Sequence, residues 1–370
     1  MRPSEIGRAL AAIIPTRQPT LILGPPGVGK DSVAFQAAAA IYDGETEESR
    51  EANSVRTTVG GLPDTPWIVY EACVDKDPTD VVGLPFVRDG WTNVSKPDLY
   101  RRVMGMGERG GVVVLSDFCQ AIPAVQCAYR GLLLDRRIGG HRIPDNVTVV
   151  ATGNRPQDRA GANKLLTHVA SSVVLLELEV SNDDWQSLAL RKGIPHEVRS
   201  FLNFKPGAIH DFEPSRLVNT DPRGWERVGI LSRSVPDDLL LNVISGCVCP
   251  GHAAEFMAHR QMANELPDPR EILANPDKIK MPQDASILYA LSGALVEVVR
   301  EKKTSEKTGN NLIRFCERMA NEAPRGSVYG VLTVKDAIAV AQQMMVPVAT
   351  KSGWIKKYKD LIYATTSSKE

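Results

Sequence analysis

A glycine-rich loop near the N-terminus has the residue types that bind phosphate. Residues 24–30 read GPPGVGK and lie between an apolar run and an alanine-rich stretch. Glycines let the backbone curl so that successive N–H groups point at phosphate oxygens, and a following helix adds its positive end. A lysine at this place reaches the β- and γ-phosphates. The predicted nucleotide-binding residues are Gly24, Pro25, Pro26, Gly27, Val28, Gly29, Lys30, Asp31 and Ser32.

The residue after Lys30 departs from the usual phosphate loop. Ser or Thr is expected there, with a hydroxyl for Mg²⁺, but this chain has Asp31. Ser32 does not simply replace that hydroxyl, because one helical residue later its side chain points about 100° away. We therefore expect Ser32 to approach the α-phosphate instead.

A second polar segment follows a predicted buried strand. A phosphate-loop ATPase needs one acid near Mg²⁺ and another that orients the attacking water. Residues 112–118 read VVVLSDF, and two registers fit. In the first, Ser116 occupies the metal-acid position and Asp117 the catalytic-acid position. In the second, Asp117 is the metal acid and Phe118 replaces the catalyst. The four-residue apolar run favours the first register.

The first register implies an exchange between loop and strand. The usual hydroxyl on the loop has become Asp31, and the usual carboxylate on the strand has become Ser116. Our hypothesis is that Asp31 ligates Mg²⁺ directly while Ser116 bonds a metal-bound water, with Asp117 beside them. The alternative is two independent losses that leave a slow or inactive site.

The elements that position these residues follow from hydrophobic patterning. Apolar runs alternate with helical patterns up to residue 180, which predicts an α/β fold with a mainly parallel five-stranded sheet. Residues 43–66 predict a surface loop, residues 75–98 have too many breaks for one element, and residues 123–135 predict one helix. Only helical patterns follow residue 180. The predicted strands are 20–23, 67–73, 112–115, 147–151 and 173–178. The predicted helices of the second part are 182–191, 196–203, 222–233, 236–245, 285–300, 309–321, 333–345 and 351–363, with a proline-rich link at 266–283.

Composition excludes several classes of protein. Lys and Arg total 44 and Asp and Glu total 44, which argues against a basic nucleic-acid clamp or a polybasic membrane binder. No stretch approaches the roughly 18 apolar residues of a membrane helix, and the first ten residues have no signal-peptide core. Six scattered cysteines favour a reducing cytoplasm over a disulfide framework. Cys247, Cys249 and His252 have metal-ligand residue types, but their spacing is not a standard zinc pattern, and we predict small buried cysteines rather than a zinc site.

In combination and order, these motifs resemble the MoxR-like branch of the AAA+ ATPases, in the clade with an insertion in helix 2. The resemblance spans most of the chain. Beyond the phosphate loop it rests on residues 80–85 (DVVGLP), 121–126 (AIPAVQ), 134–139 (LDRRIG), 143–146 (IPDN), 149–155 (VVATGNR), 183–185 (DDW), 211–212 (DF), 222–226 (PRGWE), 253–256 (AAEF) and 266–269 (LPDP). The match at 121–126 also supports the first register.

The resemblance implies roles for two further residues. Asn154 is expected to be the sensor-1 residue, whose amide holds the attacking water or contacts the γ-phosphate. Arg223 is expected to be the sensor-2 arginine of a helical lid. The family usually has an arginine finger before the fifth strand, where this chain has Ser172. Arg136, Arg137, Arg155 and Arg159 are candidates to replace it, although we expect a solvated loop or interface charge at each of these positions.

The sequence thus predicts an AAA+ phosphate-loop core at 1–180, a helical lid at 181–250 and a C-terminal helical region at 251–370. The resemblance implies ATP and Mg²⁺ as cofactors, a homo-oligomeric and hexameric ring, and chaperone-like remodelling of a protein partner, often one with a von Willebrand A-type domain. Two rival functions are a nucleotide-gated scaffold with little hydrolysis and, less favoured by the neutral charge, a DNA motor.

Overall fold

The computed structural model describes residues 1–42, 66–158, 163, 165–264 and 269–278, with isolated helical positions between 291 and 318. The chain divides into two compact units. The first consists of Met1–Gly193 and His210–Gly224, and the second of Ile194–Ile209 and Trp225–Glu370. The three-part division predicted from the sequence stays a prediction.

A five-stranded parallel sheet forms the centre of the first unit. Its strands are β1 Thr20–Leu23, β2 Ile68–Ala72, β5 Gly111–Ser116, β8 Val147–Gly153 and β9 Val174–Glu177. They pair in the order β2-β5-β8-β1-β9, and every neighbouring pair is parallel, so crossover connections join the strands. This confirms the predicted α/β class with a mainly parallel five-stranded sheet. The described residues also form two small antiparallel hairpins: β3 Pro85–Arg88 with β4 Trp91–Val94, and β6 Arg137–Ile138 with β7 His141–Arg142.

Helices cover both faces of the sheet in the first unit. The helices of this unit in the described ranges are α1 Pro3–Ile13, α2 Lys30–Tyr42, α3 Pro78–Val82, α4 Asp98–Met104, α5 Pro123–Ala128, α6 Arg130–Asp135, α7 Thr167–Ala170 and α8 Asn182–Arg191. Along β5, Val112 and Val114 face a cluster with residues of helices α1 and α2, whereas Val113 and Leu115 face a cluster with residues of α4 and α6. This two-sided burial explains why β5 is a continuous apolar run without alternating polar residues.

An aromatic core holds the second unit together. Phe201, Trp225 and Phe256 pack at ring-centroid distances of 5.3–5.9 Å, and the Trp225 indole donates to the Ala208 carbonyl oxygen at 2.7 Å. Further helices with defined bounds in the described ranges are α9 His196–Phe204, α10 Pro222–Leu231, α11 Asp237–Ile244, α12 Pro250–Asn264 and α13 Pro269–Ala274. Within the described ranges, every helix is too short or too polar to cross a membrane.

Two predicted segments differ from the structure. The single helix predicted at 123–135 is two helices, α5 and α6, which meet at Tyr129, whose side chain is fully buried. The proline-rich link predicted at 266–283 contains helix α13, because Pro269 begins a helix, a position that proline tolerates. The predictions at 43–65, 333–345 and 351–363, and most of those at 285–300 and 309–321, lie outside the described residues.

Candidate functional site

The phosphate loop lies at the carboxyl ends of the central strands. It connects β1 to α2, and the Gly24 N–H donates to the Gly153 carbonyl oxygen at the end of β8. Gly27 and Gly29 have φ of 77° and 85°, a left-handed conformation that glycine adopts without steric cost. The loop therefore has the curled backbone that the sequence predicts.

Lys30 is folded back into this loop. Its Nζ donates to the carbonyl oxygens of Gly24 and Pro25 at 3.1 and 2.8 Å, and to Asn154 Oδ1 at 2.7 Å. Burial lowers the pKa of Lys30 to about 8, although the nearby charges of Asp31 and Asp117 oppose that shift. The structure thus brings the predicted lysine and the predicted sensor asparagine into direct contact.

Asp31 lies between two hydroxyl groups of neighbouring strands. Ser116 Oγ donates to Asp31 Oδ2 at 2.7 Å, and Thr152 Oγ1 donates to Asp31 Oδ1 at 2.5 Å. The strand register accounts for this, since Leu115 pairs with Ala151 and the next residues, Ser116 and Thr152, therefore lie side by side. Ser32 is half-buried in the same helical turn.

Asp117 occupies a strained turn directly after β5. Its backbone is left-handed, with φ 52° and ψ 35°, and Phe118 after it is fully buried in the core. Burial raises the pKa of Asp117, and the charge of Asp31 raises it further, while Lys30 and Arg223 act in the opposite direction. Ser116 lies beside Asp31 and Phe118 lies in the core, and the choice between the two registers stays a prediction.

Gln120 connects the two predicted catalytic groups. Its Nε2 donates to Asp117 Oδ1 at 2.7 Å, and its Oε1 accepts the Asn154 backbone N–H at 3.3 Å. Sequence reasoning did not select Gln120. A glutamine three residues after an acid has no distinctive pattern, and only the folded turn shows the contact.

Asp221 directly precedes helix α10 and contacts the phosphate loop. Its Oδ1 accepts the Gly224 N–H at 2.7 Å, which caps the helix. A Cβ on Gly27 would overlap the Asp221 carboxylate, so the cap lies directly against the loop. Arg223, two residues later, is exposed, and its charge acts on Lys30 and on Asp117. The acidic cap before a proline was a local signal that could have identified Asp221.

Three of the four arginines that the sequence offers in place of an arginine finger contact atoms of their own chain. Arg155 forms ion pairs with two acids at 3.0 and 2.8 Å, and Arg136 donates to two backbone carbonyls at 2.7 and 2.8 Å. Arg137 is exposed and donates to one carbonyl, and Arg159 lies outside the described residues. Ser172 lies in the turn between α7 and β9.

The cysteine and histidine candidates lie in the second unit. Cys249 is buried, and its Sγ is 3.2 Å from His252 Nδ1. Cys247 is partly exposed, and burial raises the pKa of its thiol. The prediction that these residues are not a zinc site stays a prediction.

The strand order and the loop geometry define an α/β phosphate-loop fold. No protein-family model matches the sequence, and no curated protein matches it. Similar solved structures include a DNA polymerase III gamma subunit-related protein from Thermotoga maritima, at 13% identity and a TM-score of 0.33 over 96% of this chain and 97% of that one. NtrX from Brucella abortus in complex with ATP has 15% identity and a TM-score of 0.37 over 92% of this chain and 67% of that one. ORC1 from Aeropyrum pernix in complex with DNA has 16% identity and a TM-score of 0.34 over 91% of this chain and 82% of that one. Identities and TM-scores this low carry no conclusion about the function of this chain.

Proposed function

We propose that the chain binds ATP at the loop of residues 24–30 and hydrolyses it in a Mg²⁺-dependent reaction. The observation that carries this proposal is the contact between Lys30 of the loop and Asn154 at the end of β8, with Asp31 and Asp117 beside them. A curled glycine loop, a lysine, a polar sensor residue and two acids are the groups that phosphoryl transfer needs at one place.

The oxygen atoms around Asp31 fit a magnesium ion. Its carboxylate and the hydroxyls of Ser116 and Thr152 are hard oxygen ligands, the type that Mg²⁺ prefers. Asp31 and Ser116 would hold the cation, directly or through its waters, with Asp117 as the remaining acid. When bound, Mg²⁺ supplies charge neutralisation on the phosphates.

The protein groups have distinct parts in the proposed reaction. Lys30 exchanges its loop carbonyls for phosphate oxygens, and Asn154 is then free to position a water. Asp117 orients that water and accepts its proton, since its raised pKa makes the carboxylate a better base. Gln120 holds Asp117 toward Asn154, and Arg223 adds positive charge at the phosphates.

A nucleotide-gated scaffold with little hydrolysis is the second candidate. It is favoured by Ser172 in place of the arginine finger, because a finger supplied by a neighbour is worth about 10³–10⁵ in rate. Arg136 and Arg155 are both held by partners of their own chain.

Steady-state ATPase measurements on the full chain separate the two candidates, with Asp117→Asn as the active-site variant. Hydrolysis that falls at least tenfold in Asp117→Asn supports the enzyme. Nucleotide binding with activity that is absent, or unchanged in Asp117→Asn, supports the scaffold. Failure to bind ATP under any condition contradicts both.

The resemblance supports a larger assembly. We propose a homo-oligomeric, hexameric ring that remodels or activates a protein partner, in which the C-terminal helical region follows a lid. Light scattering coupled to gel filtration, with and without ATP, measures the assembly. Salt-dependent DNA binding by the full chain would instead favour the DNA-motor alternative.

A further inference from the structure

Asp31 places a fixed negative charge where the phosphate loop normally has a neutral hydroxyl. It lies in the first turn of α2, directly after Lys30. Its two oxygens accept from Ser116 and Thr152 at 2.7 and 2.5 Å, so hydroxyls from two different strands hold the carboxylate in place. Because both oxygens are held, the side chain does not swing away freely when an anion arrives.

The charge of Asp31 acts on the groups that would contact phosphate. It opposes the lowering of the Lys30 pKa and adds to the raising of the Asp117 pKa. The N-terminus of α2, a helix of 13 residues, is the predicted phosphate position, so an incoming triphosphate meets a carboxylate of like charge. Like charges a few ångströms apart in a partly buried site repel strongly.

We infer that Asp31 makes nucleotide binding at this loop depend on a divalent cation, by repelling metal-free triphosphate and accepting the metal complex. The inference rests on the proposed nucleotide binding and deepens it, because it specifies the form of nucleotide that the site takes. The coupling is reciprocal, so nucleotide raises the affinity for the cation by the same factor.

Binding of ATP to the full chain, measured by isothermal titration calorimetry in EDTA and in Mg²⁺ at equal ionic strength, tests this inference without any turnover. The measured quantity is the affinity for ATP in Mg²⁺ divided by the affinity for ATP in EDTA. We expect Asp31→Thr to lower that ratio at least tenfold, equivalent to about 1.4 kcal/mol, chiefly because metal-free ATP binds more tightly. Asp31→Asn, which keeps the shape and removes the charge, should do the same and decides the question if Asp31→Thr does not fold.

Asp75→Asn is the matched control. Asp75 is exposed and its charge also acts on Asp117, but it lies outside the loop. Its ratio should stay within about twofold of the wild-type ratio. An unchanged ratio in Asp31→Asn, with ATP still bound, overturns the inference and leaves the proposed function standing. A ratio that falls equally in Asp75→Asn overturns it as well. Absence of ATP binding in every protein and both conditions overturns the proposed function itself.

Discussion

Binding of a triphosphate should return the low pKa of Lys30 to its ordinary range, and the proton that this requires can be measured. Burial lowers the pKa of Lys30 from 10.5 to about 8 in the free protein. At pH 8, half of the molecules therefore carry a neutral amine. Anionic phosphate oxygens in contact with Nζ favour the ammonium form. We expect uptake of about 0.1 proton at pH 7, about 0.5 at pH 8 and about 0.9 at pH 9.

The same shift predicts how affinity and stability change with pH. The ammonium fraction falls about tenfold between pH 7 and pH 9, so ATP should bind about tenfold more weakly at pH 9. The free protein should become more stable as the pH rises from about 8 to 10.5, since the unfolded chain binds more protons in that window. The difference of 2.5 between 10.5 and 8 corresponds to roughly 3 kcal/mol of unfolding free energy.

Calorimetric titrations in buffers of different ionisation enthalpy measure the proton uptake directly. Lys30→Arg is the control, because a guanidinium stays charged through this range and should take up no proton. The second pKa of a phosphate, about 6, lies below the window and adds little. Uptake near zero at pH 9 in the wild type, or equal uptake in Lys30→Arg, would refute the reasoning.

Three further changes test the site and the core. Gly27→Ala should lower the free energy of unfolding by roughly 2 kcal/mol or more, because φ at Gly27 is 77° and the new methyl group overlaps the cap of α10. Gly7→Ala is the control and should not destabilise the protein, because there is open space around Gly7. Urea denaturation measures both variants, and equal stability of the two would contradict the loop geometry. Gln120→Ala should lower the rate of ATP hydrolysis about tenfold to a hundredfold with ATP affinity unchanged, because Asp117 loses its orienting hydrogen bond. An equal loss of ATP affinity would show that Gln120 acts in nucleotide binding rather than in orienting Asp117. Glu71→Gln should lower the free energy of unfolding by roughly 3 kcal/mol, since it removes a buried carboxylate from its ion pairs with Lys76 and Arg102. A thermal midpoint equal to that of the wild type would show that these ion pairs contribute little to stability.

Local patterns in the sequence were sufficient for the elements that carry the site. Strand β1 has the bounds that the sequence predicts, because its apolar run ends at a glycine turn. The other central strands differ by one or two residues at their ends. The break at Tyr129 was missed, because both halves of 123–135 have helical patterning.

The site shows the same division between local and long-range information. Lys30, Asp31, Ser116 and Asp117 were selected from short motifs, since each lies at a strand end or helix start with a recognisable pattern. Thr152 was missed because its part depends on the register between two strands, which no short segment specifies.

The sequence by itself determined the α/β class, the phosphate loop and the unusual placement of a carboxylate after its lysine, because strand, turn and helix patterns are local. Tertiary structure alone decided what that carboxylate contacts. Parallel strands distant in the chain end at one edge of the sheet, so Ser116 and Thr152 meet Asp31 there, 85 and 121 residues away in sequence. Contacts over such separations depend on sheet order and register, which only the folded chain defines.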